Sequence, residues 1–414
     1  MSVEQKLNAA LQKYPFIKKG VKRAYQLAMY AVSPKLKSEG NLTCLTPDDE
    51  FEYFFGYYDK CPWDASGRYV LCNRVKNAYA KPDNDEPAEL VMIDTKQGNA
   101  LRVLAKTRSW NVQQGCMLQW LGPDFRTKVI YNDFRDGKYC AVILTVETGE
   151  ERTLPMPVYA VSADGTFALT LDFSRLHRMR PGYGYCNLPE ETAQERCPEQ
   201  TCIWKMELDT GAVTPVLRYT DFLNFEQRPE MVGAAHKVNH LMISPDAKRF
   251  MVLHRWFVGE RKYTRLITAN IDGSEMYNLL DDDFASHCYW KNGKEIITFA
   301  EKKGIGRGYF LLRDQGNACR HLWSALSGDG HPSYGPGGKV VTDTYPDRRR
   351  VASVYILDDS SEKITVAARV FAPFRYDNDV RCDLHPRWSR DGKQICIDSV
   401  FEGKRRLYVV NLSE

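Results

Sequence analysis

Four histidines occupy one position of a recurring unit: His240-x-x-Ile243, His287-x-x-Trp290, His331-x-x-Tyr334 and His385-x-x-Trp388. The chain has only 8 histidines, so chance does not account for this register. Neutral imidazole binds Zn²⁺, Mn²⁺, Fe²⁺ and Ni²⁺, and it moves protons near neutral pH. His287, His331 and His385 can therefore supply three ligands to a divalent metal. His240 and His236 then remain as a base or a further ligand. The bland alternative is that each histidine caps its strand and bonds to a neighbouring unit. Tyr57-Tyr58-Asp59 and Gln113-Gln114 fall near the same height in the first two units.

Cationic and aromatic groups flank this seam. His254-Arg255-Trp256 ends one strand, and Phe173 to Tyr185 contains His177, Arg178, Arg180, Tyr183 and Tyr185. Arginine can hold a carboxylate by two parallel hydrogen bonds, and tyrosine and tryptophan faces stack on sugars. The stretch 173–185 also reads as a solvated loop packed over the domain. No phosphate-binding glycine loop, serine nucleophile elbow or zinc-protease helix motif is present. Asp59, Asp343 and Asp398 are candidates to fall near the axis, where a facing pair of carboxylates would instead suit glycoside hydrolysis.

These residues need a scaffold that repeats. From about residue 41 onward, short runs rich in Val, Ile, Tyr and Phe alternate with Gly, Asp and Asn turns, which reads as strand–turn–strand. One turn recurs seven times, as Asp64-Ala65-Ser66-Gly67-Arg68, Gly122-Pro123-Asp124, Ser162-Ala163-Asp164-Gly165, Ser244-Pro245-Asp246-Ala247-Lys248, Lys291-Asn292-Gly293-Lys294, Gly335-Pro336-Gly337-Gly338-Lys339 and Ser389-Arg390-Asp391-Gly392-Lys393. The six intervals from Asp64 to Asp391 average about 54 residues, near the length of a propeller blade. The predicted fold is all-β, a seven-bladed β-propeller spanning 41–414, with an N-terminal α-helical extension over 1–40. An insertion is expected at about 174–200. The ring is expected to close by pairing Asn41–Leu45 with the last blade, since an open ring leaves sheet edges unpaired.

Composition narrows the function classes. The 414 residues are 43% hydrophobic and 27% charged, which excludes a disordered chain. No apolar run approaches the ~18 residues of a membrane span. Lys and Arg number 57 against 53 Asp and Glu, a net charge of +4, so no dedicated nucleic-acid binder is expected. The 12 cysteines include no Cys-x-x-Cys pair, and the first residues lack a secretory pattern, so a cytoplasmic protein with reduced thiols is expected. Residues 4–34 carry apolar positions near a 3.6-residue period with Lys13, Lys18, Lys19, Lys22 and Arg23. Such a basic amphipathic helix either packs on the domain or makes a peripheral contact with the inner face of a membrane.

Several strings carry a family resemblance: Phe55-Gly56-Tyr57-Tyr58-Asp59-Lys60, His236-x-x-Asn239-His240, Leu253-His254-Arg255-Trp256, Gly330-His331-Pro332-Ser333 and Asp383-Leu384-His385-Pro386-Arg387-Trp388. Over residues 50–414 the chain resembles the seven-bladed propeller polysaccharide lyases, among them the oligogalacturonate lyases and the lyases of rhamnose–glucuronate linkages. The resemblance implies metal-assisted β-elimination on a uronate-containing glycan, with Mn or Zn as the divalent metal. It implies His287, His331 and His385 as metal ligands, His240 as base, Arg255 as the carboxylate-neutralising arginine and Tyr58 as the acid. Tyr57, His177, Arg178, Arg180, His236, Asn239 and Trp256 are the candidate sugar-binding residues. One departure stands out: the family's metal-ligating Gln has no counterpart, because Gly328 and Asp329 precede His331. The alternative function is a non-catalytic glycan-binding or scaffolding propeller in polysaccharide assembly.

Overall fold

A computed structural model describes residues 15–32, 36–80 and 86–412, the side chains at 15–19 and 22 excepted. The repeat becomes seven antiparallel sheets, one per unit and in chain order, forming a seven-bladed β-propeller. Blade 1 runs Glu52–Phe54, Tyr69–Val75, Ala88–Asp94 and Ala100–Thr107. Blade 4 runs Ala235–Ile243, Arg249–Val258, Arg261–Asn270 and Tyr277–Leu280. The innermost strands of blades 5, 6 and 7 are Ala285–Trp290, Ser333–Tyr334 and Arg387–Trp388.

The recurring turn has a local cause. A short polar side chain bonds the backbone just ahead of it and bends the chain. Asp64 Oδ1 accepts from the backbone N–H groups of Arg68 (3.0 Å) and Tyr69 (2.9 Å). Asn292 does the same for Lys294 and Glu295. Ser162, Ser244 and Ser389 each donate to the Asp two residues on, at 2.6 Å. The tryptophans before these turns tie blades together. The indole N–H of Trp120 donates to Pro62 O (2.9 Å), that of Trp290 to Met242 O (3.1 Å) and that of Trp388 to Ser333 O (3.2 Å), each reaching the preceding blade. The apolar core lies between neighbouring blades, with buried side chains of blades 2, 3 and 4 in one cluster and of blades 6 and 7 in another.

The ring closes through Leu42–Cys44, which pairs with Arg406–Asn411 of blade 7 (Leu42 opposite Val410). Just before it, Ser38–Glu39 adds a fifth strand to blade 6. Helix α1 (Pro15–Val32) docks on the same blade. Tyr30 stacks on Phe371 at 5.4 Å, and Arg23 pairs with Asp377 at 3.0 Å. Residues 4–14 of the expected helix, Lys13 among them, and the side chains of Lys18, Lys19 and Lys22 lie outside the described residues. No helix among the described residues is long and apolar enough to cross a membrane.

The expected insertion occupies residues 172–200 of blade 3 and starts with helix α2 (Phe173–Met179), capped by Asp172. Buried Arg175 anchors it, donating to Glu190 (2.5 Å) and to the carbonyls of His236, Glu195 and Arg196. The insertion crosses the mouth of the axial channel. Gly184 O accepts from Asn111 on the blade 1–2 connection (3.0 Å). Gly182 has a φ of +93°, and a Cβ there would lie 2.8 Å from the carbonyl oxygen of Asp379, before blade 7.

Candidate functional site: a histidine ring beneath the insertion

The four in-register histidines converge. Ring centroids are 5.3 Å apart for His240 and His287, 4.0 Å for His287 and His331, and 4.3 Å for His331 and His385. Tyr57 closes the circle, 5.3 Å from His240 and 5.1 Å from His385. All five side chains are buried. His240 and His385 adopt left-handed backbone, with φ of 56° and 44°, uncommon for residues with a Cβ and often found at functional sites. At His240 this accompanies a register shift between Asn239 and Met242, which turns the imidazole out of the strand's alternation toward the axis.

Each of three rings is held from outside through Nδ1. His287 Nδ1 lies 3.1 Å from Asp329, His331 Nδ1 lies 2.7 Å from Asp343, and His385 Nδ1 lies 2.8 Å from Gly56 O. A carbonyl or carboxylate acceptor fixes the proton on Nδ1 and leaves a lone pair on Nε2, the orientation found in metal-bound histidines. The Nε2 atoms of His331 and His385 are buried without a hydrogen-bond partner. A carboxylate joins them, since His331, Asp383 and His385 bring donor atoms within 4.8 Å of one another. Arg381 steadies Asp383 through two bonds (2.5 and 2.8 Å). Burial pushes the Asp383 carboxyl up, but Arg381 outweighs it and holds it below its ordinary value. Two buried imidazole nitrogens and one ionised carboxylate in that span suit a divalent transition metal, and His287 lies beside the group, its ring 4.0 Å from that of His331.

Asp343 positions two of the rings. One oxygen accepts from both the backbone and the ring of His331, and the other accepts from the backbone N–H of His385 (3.1 Å). Asp398 performs a similar service for blade 1. It accepts from Phe55 N (3.0 Å) and is paired with buried Arg387 (2.9 Å), which also binds Gly56 O. Gly56 is required there, because with φ of +125° its Cβ would lie 2.7 Å from the backbone of Gln114. Asp59 is paired with Lys60 (2.9 Å). The three aspartates that could have served a hydrolase are thus each committed to a partner, and they form no facing pair of free carboxylates.

The two tyrosines divide the work. The Tyr58 hydroxyl donates to Cys288 O (2.7 Å) and accepts from Cys288 N (3.1 Å), so it is a strut between blades 1 and 5. The Tyr57 hydroxyl lies 2.9 Å from His240 Nε2 and 3.1 Å from Nδ1. Burial raises the Tyr57 phenol well above its ordinary value. Burial, then the His287 ring and Arg255, push His240 well below its ordinary value. At neutral pH the pair is a protonated phenol facing an unprotonated imidazole. Tyr159 holds the base in place, its hydroxyl accepting from the His240 backbone N–H (3.2 Å).

Blade 4 sorts the remaining candidates by face, because side chains alternate along a strand and cross-strand partners share a face. Lys237 pairs with Arg255 and Asn239 with Leu253, so Lys237, Asn239 and Arg255 lie on one face. Arg255 is buried with no partner for its Nε, and Asn239 Oδ1 is likewise unpartnered. His236 pairs with Trp256 on the opposite face. There Arg265 Nε–H donates to His254 Nδ1 (3.1 Å), His254 faces His236 (2.9 Å), and His236 Nε2 faces Met231 O (2.9 Å). Because Arg265 can only donate, every proton in that chain is assigned. His236 and Trp256 therefore stand apart from the ring. Arg178 is tied to Glu190, while Arg180 lies exposed against Tyr183 at 5.4 Å. His177 sits in the last turn of α2.

Asp383, Lys237 and Tyr159 escaped the sequence reading, and Asp343 entered it only as a candidate carboxylate for hydrolysis. Asp383 carried a signal, two residues before His385 in the quoted string. Two open cavities of about 220 and 130 Å³ share Asp59, Lys60 and Tyr289, and no histidine of the ring lines either of them.

No family model and no curated protein matches the chain. Among solved structures it is similar to an oligogalacturonate lyase in complex with manganese, at 18% identity and a TM-score of 0.67, covering 92% of this chain and 96% of that one. It is also similar to an oligogalacturonate lyase from Vibrio parahaemolyticus (14%, TM-score 0.62, 92% and 98% covered). A third is the β-propeller domain of the trilobed protease from Pyrococcus furiosus (11%, TM-score 0.52, 87% and 97% covered). At these identities the likeness is one of fold. The expected resemblance to the lyase propellers is met at that level, in company with a propeller from a protease.

Proposed function

We propose that the chain is a lyase that cleaves a uronate-containing glycan by β-elimination at the histidine ring. The observation that carries this is a protonated phenol, an unprotonated imidazole and a buried, unpaired arginine brought together beside a metal-ligand set. His287, His331, His385 and Asp383 would hold a divalent cation such as Mn²⁺ or Zn²⁺. Once bound, it would polarise the substrate carboxylate and make the adjacent C–H more acidic. Arg255 neutralises and orients that carboxylate. His240 takes the proton from C5 of the uronate as the C4=C5 double bond forms and the C4–O bond breaks. The departing oxygen takes its proton from Tyr57, the hydroxyl that faces the base; we assign the acid to Tyr57 rather than Tyr58, whose hydroxyl is spent on Cys288. Because Tyr57 lies within 3.1 Å of both nitrogens of His240, the proton can return from imidazolium to phenolate after release. Groups whose environments push their acidities apart are the usual acid–base assignment.

The test is the ultraviolet absorbance of the unsaturated product, followed with oligogalacturonate and glucuronate oligosaccharides on protein loaded with Mn²⁺ or Zn²⁺. Metal content by elemental analysis should approach one ion per chain and fall in Asp383→Asn and His331→Ala. Absence of an absorbance rise with every uronate glycan would sink the lyase reading. Binding without turnover would favour the glycan-binding alternative.

A further inference from the structure

Helix α1 is docked with an apolar side outward. Arg23 pairs with Asp377 (3.0 Å) and lies over Phe374 at 4.5 Å, while Tyr30 packs on Phe371 and Phe374 at 5.4 and 5.6 Å. Gln26 and Met29 are half-buried beside them. Positions 23, 26 and 30 share one stripe of a 3.6-residue helix, and this stripe faces blade 6 and the connection that follows it. Positions 21, 24, 28 and 32 share the stripe on the opposite side, where Val21, Ala24, Ala28 and Val32 are all exposed. Val21 is 37% exposed and Val32 76%, with Leu27 at the edge of the stripe 49% exposed. A surface helix ordinarily turns its apolar stripe to the core and its polar side to water. Here an arginine and a tyrosine hold the domain, and an alanine–valine stripe faces out. Single exposed apolar residues are normal, but a contiguous apolar face marks an interaction site.

The charge around this face has a single sign. From residue 5 to residue 38 every charged residue is Lys or Arg, and the first acidic residue after Glu4 is Glu39. The helix itself carries Lys18, Lys19, Lys22 and Arg23 in its sequence. Lys37, just beyond it, stays 67% exposed while pairing with Glu402 at 3.5 Å. An apolar face on a helix within a wholly basic segment suits the plane of an anionic bilayer, where the face sinks to the acyl boundary and the lysines meet phosphates. A second copy of this chain fits less well, because two such segments brought together would set like charges against each other. We propose that α1 docks the protein on an anionic lipid surface, with Val21, Ala24, Ala28 and Val32 toward the acyl chains. Packing on the domain and meeting a membrane are then not alternatives, since they use opposite faces of one helix. Arg23 and Tyr30 fix the angle at which the propeller is held. The anchor stands independently of the uronate reading.

The experiment is co-sedimentation of the full chain with vesicles of phosphatidylcholine alone and of phosphatidylcholine with about 30% phosphatidylserine. The anionic vesicles should bind the protein about ten-fold or more tightly, and the binding should fall as salt is raised, because exposed charges are screened. Ala28→Glu combined with Val32→Glu should weaken that binding about ten-fold or more, with the melting temperature held within about 2 °C because both positions are exposed. Lys18→Gln combined with Lys22→Gln should weaken binding to the anionic vesicles about ten-fold and leave the neutral vesicles unchanged. Equal binding to both vesicles, binding to neither, or anionic binding unmoved by the Ala28 and Val32 substitutions would overturn the anchor. So would a dimer in solution that the same two substitutions convert to a monomer, since the face would then belong to a second copy. Turnover of uronates by a protein that ignores vesicles would leave the lyase standing and remove the anchor; vesicle binding without turnover would do the reverse.

Discussion

The two faces of the second strand of blade 4 bury nitrogen-rich side chains at neighbouring positions, and they treat them in opposite ways. On the outward face Arg265, His254 and His236 form an unbroken run of hydrogen bonds ending on Met231 O. On the axial face Arg255 and Lys237 are also buried, yet Arg255 Nε has no hydrogen-bond partner and Lys237 meets only the Phe257 ring, at 5.8 Å. Burial of a polar group is therefore no guide to function on this strand. What separates the faces is whether the protein itself satisfies the group. The outward chain is satisfied within the blade, and the axial pair is left without a carboxylate of its own.

The comparison can be broken in graded steps. The largest effect is expected at the ring itself, where His240→Ala should lower uronate turnover by about 10²–10⁴-fold, the usual contribution of a general base, with the melting temperature little changed. Chelation should abolish the same activity and Mn²⁺ or Zn²⁺ should restore it, as followed by product absorbance. On the outward face, His254→Leu should strand Arg265 and His236 and cost about 1–3 kcal/mol in denaturant unfolding, while the activity per folded molecule stays within two-fold. On the axial face the sign reverses, and Lys237→Met should stabilise the free protein by about 1–2 kcal/mol. Destabilisation by both substitutions would erase the distinction between the faces.

The smallest effect sharpens the axial side. Lys262 faces Arg255, Arg180 and Asp329, and its ammonium is pushed down to about 8. It is charged below that pH and neutral above it, so affinity for an anionic ligand should fall as pH rises through about 8. The bound anion favours the ammonium, so the fall should move to higher pH in the complex. The unfolded lysine titrates near 10.4, so between about 8 and 10 the unfolded chain holds more protons than the folded one. This group alone therefore makes the free protein more stable as pH rises across that window. Both trends should be absent from Lys262→Met.

Much of the scaffold was legible before any coordinate. Six of the seven turns are local chemistry, a Ser, Asp or Asn side chain bonding its own backbone. The seventh (335–339) is a Gly-Pro turn closed by Gly335 N–H on Lys339 O. Local chemistry is written in consecutive residues. The histidine register was legible for the same reason: once the turns are aligned, equivalent residues fall at equivalent heights. The closing strand at Leu42–Cys44 followed from the need to pair an edge. Ser38–Glu39 on blade 6 carried no signal, since a two-residue exposed strand has no pattern to read.

The site was legible only by position, and not by direction. From sequence alone Tyr57 and Tyr58 are interchangeable, as are His236 and Lys237, because neighbours in an extended chain point to opposite sides and the string does not say which side is the axis. The left-handed residue at His240 and the register shift around it break the alternation where it matters, and no residue type announces that break. Asp383 and Asp343 join the ring through contacts between separate blades. The amino-acid order thus determined the repeat, the number of blades and the height of the imidazoles, all consequences of short-range bonding. Folding in three dimensions decided which hydroxyl faces the base, which carboxylates hold the rings and which cations are left without partners, because those depend on how distant strands meet.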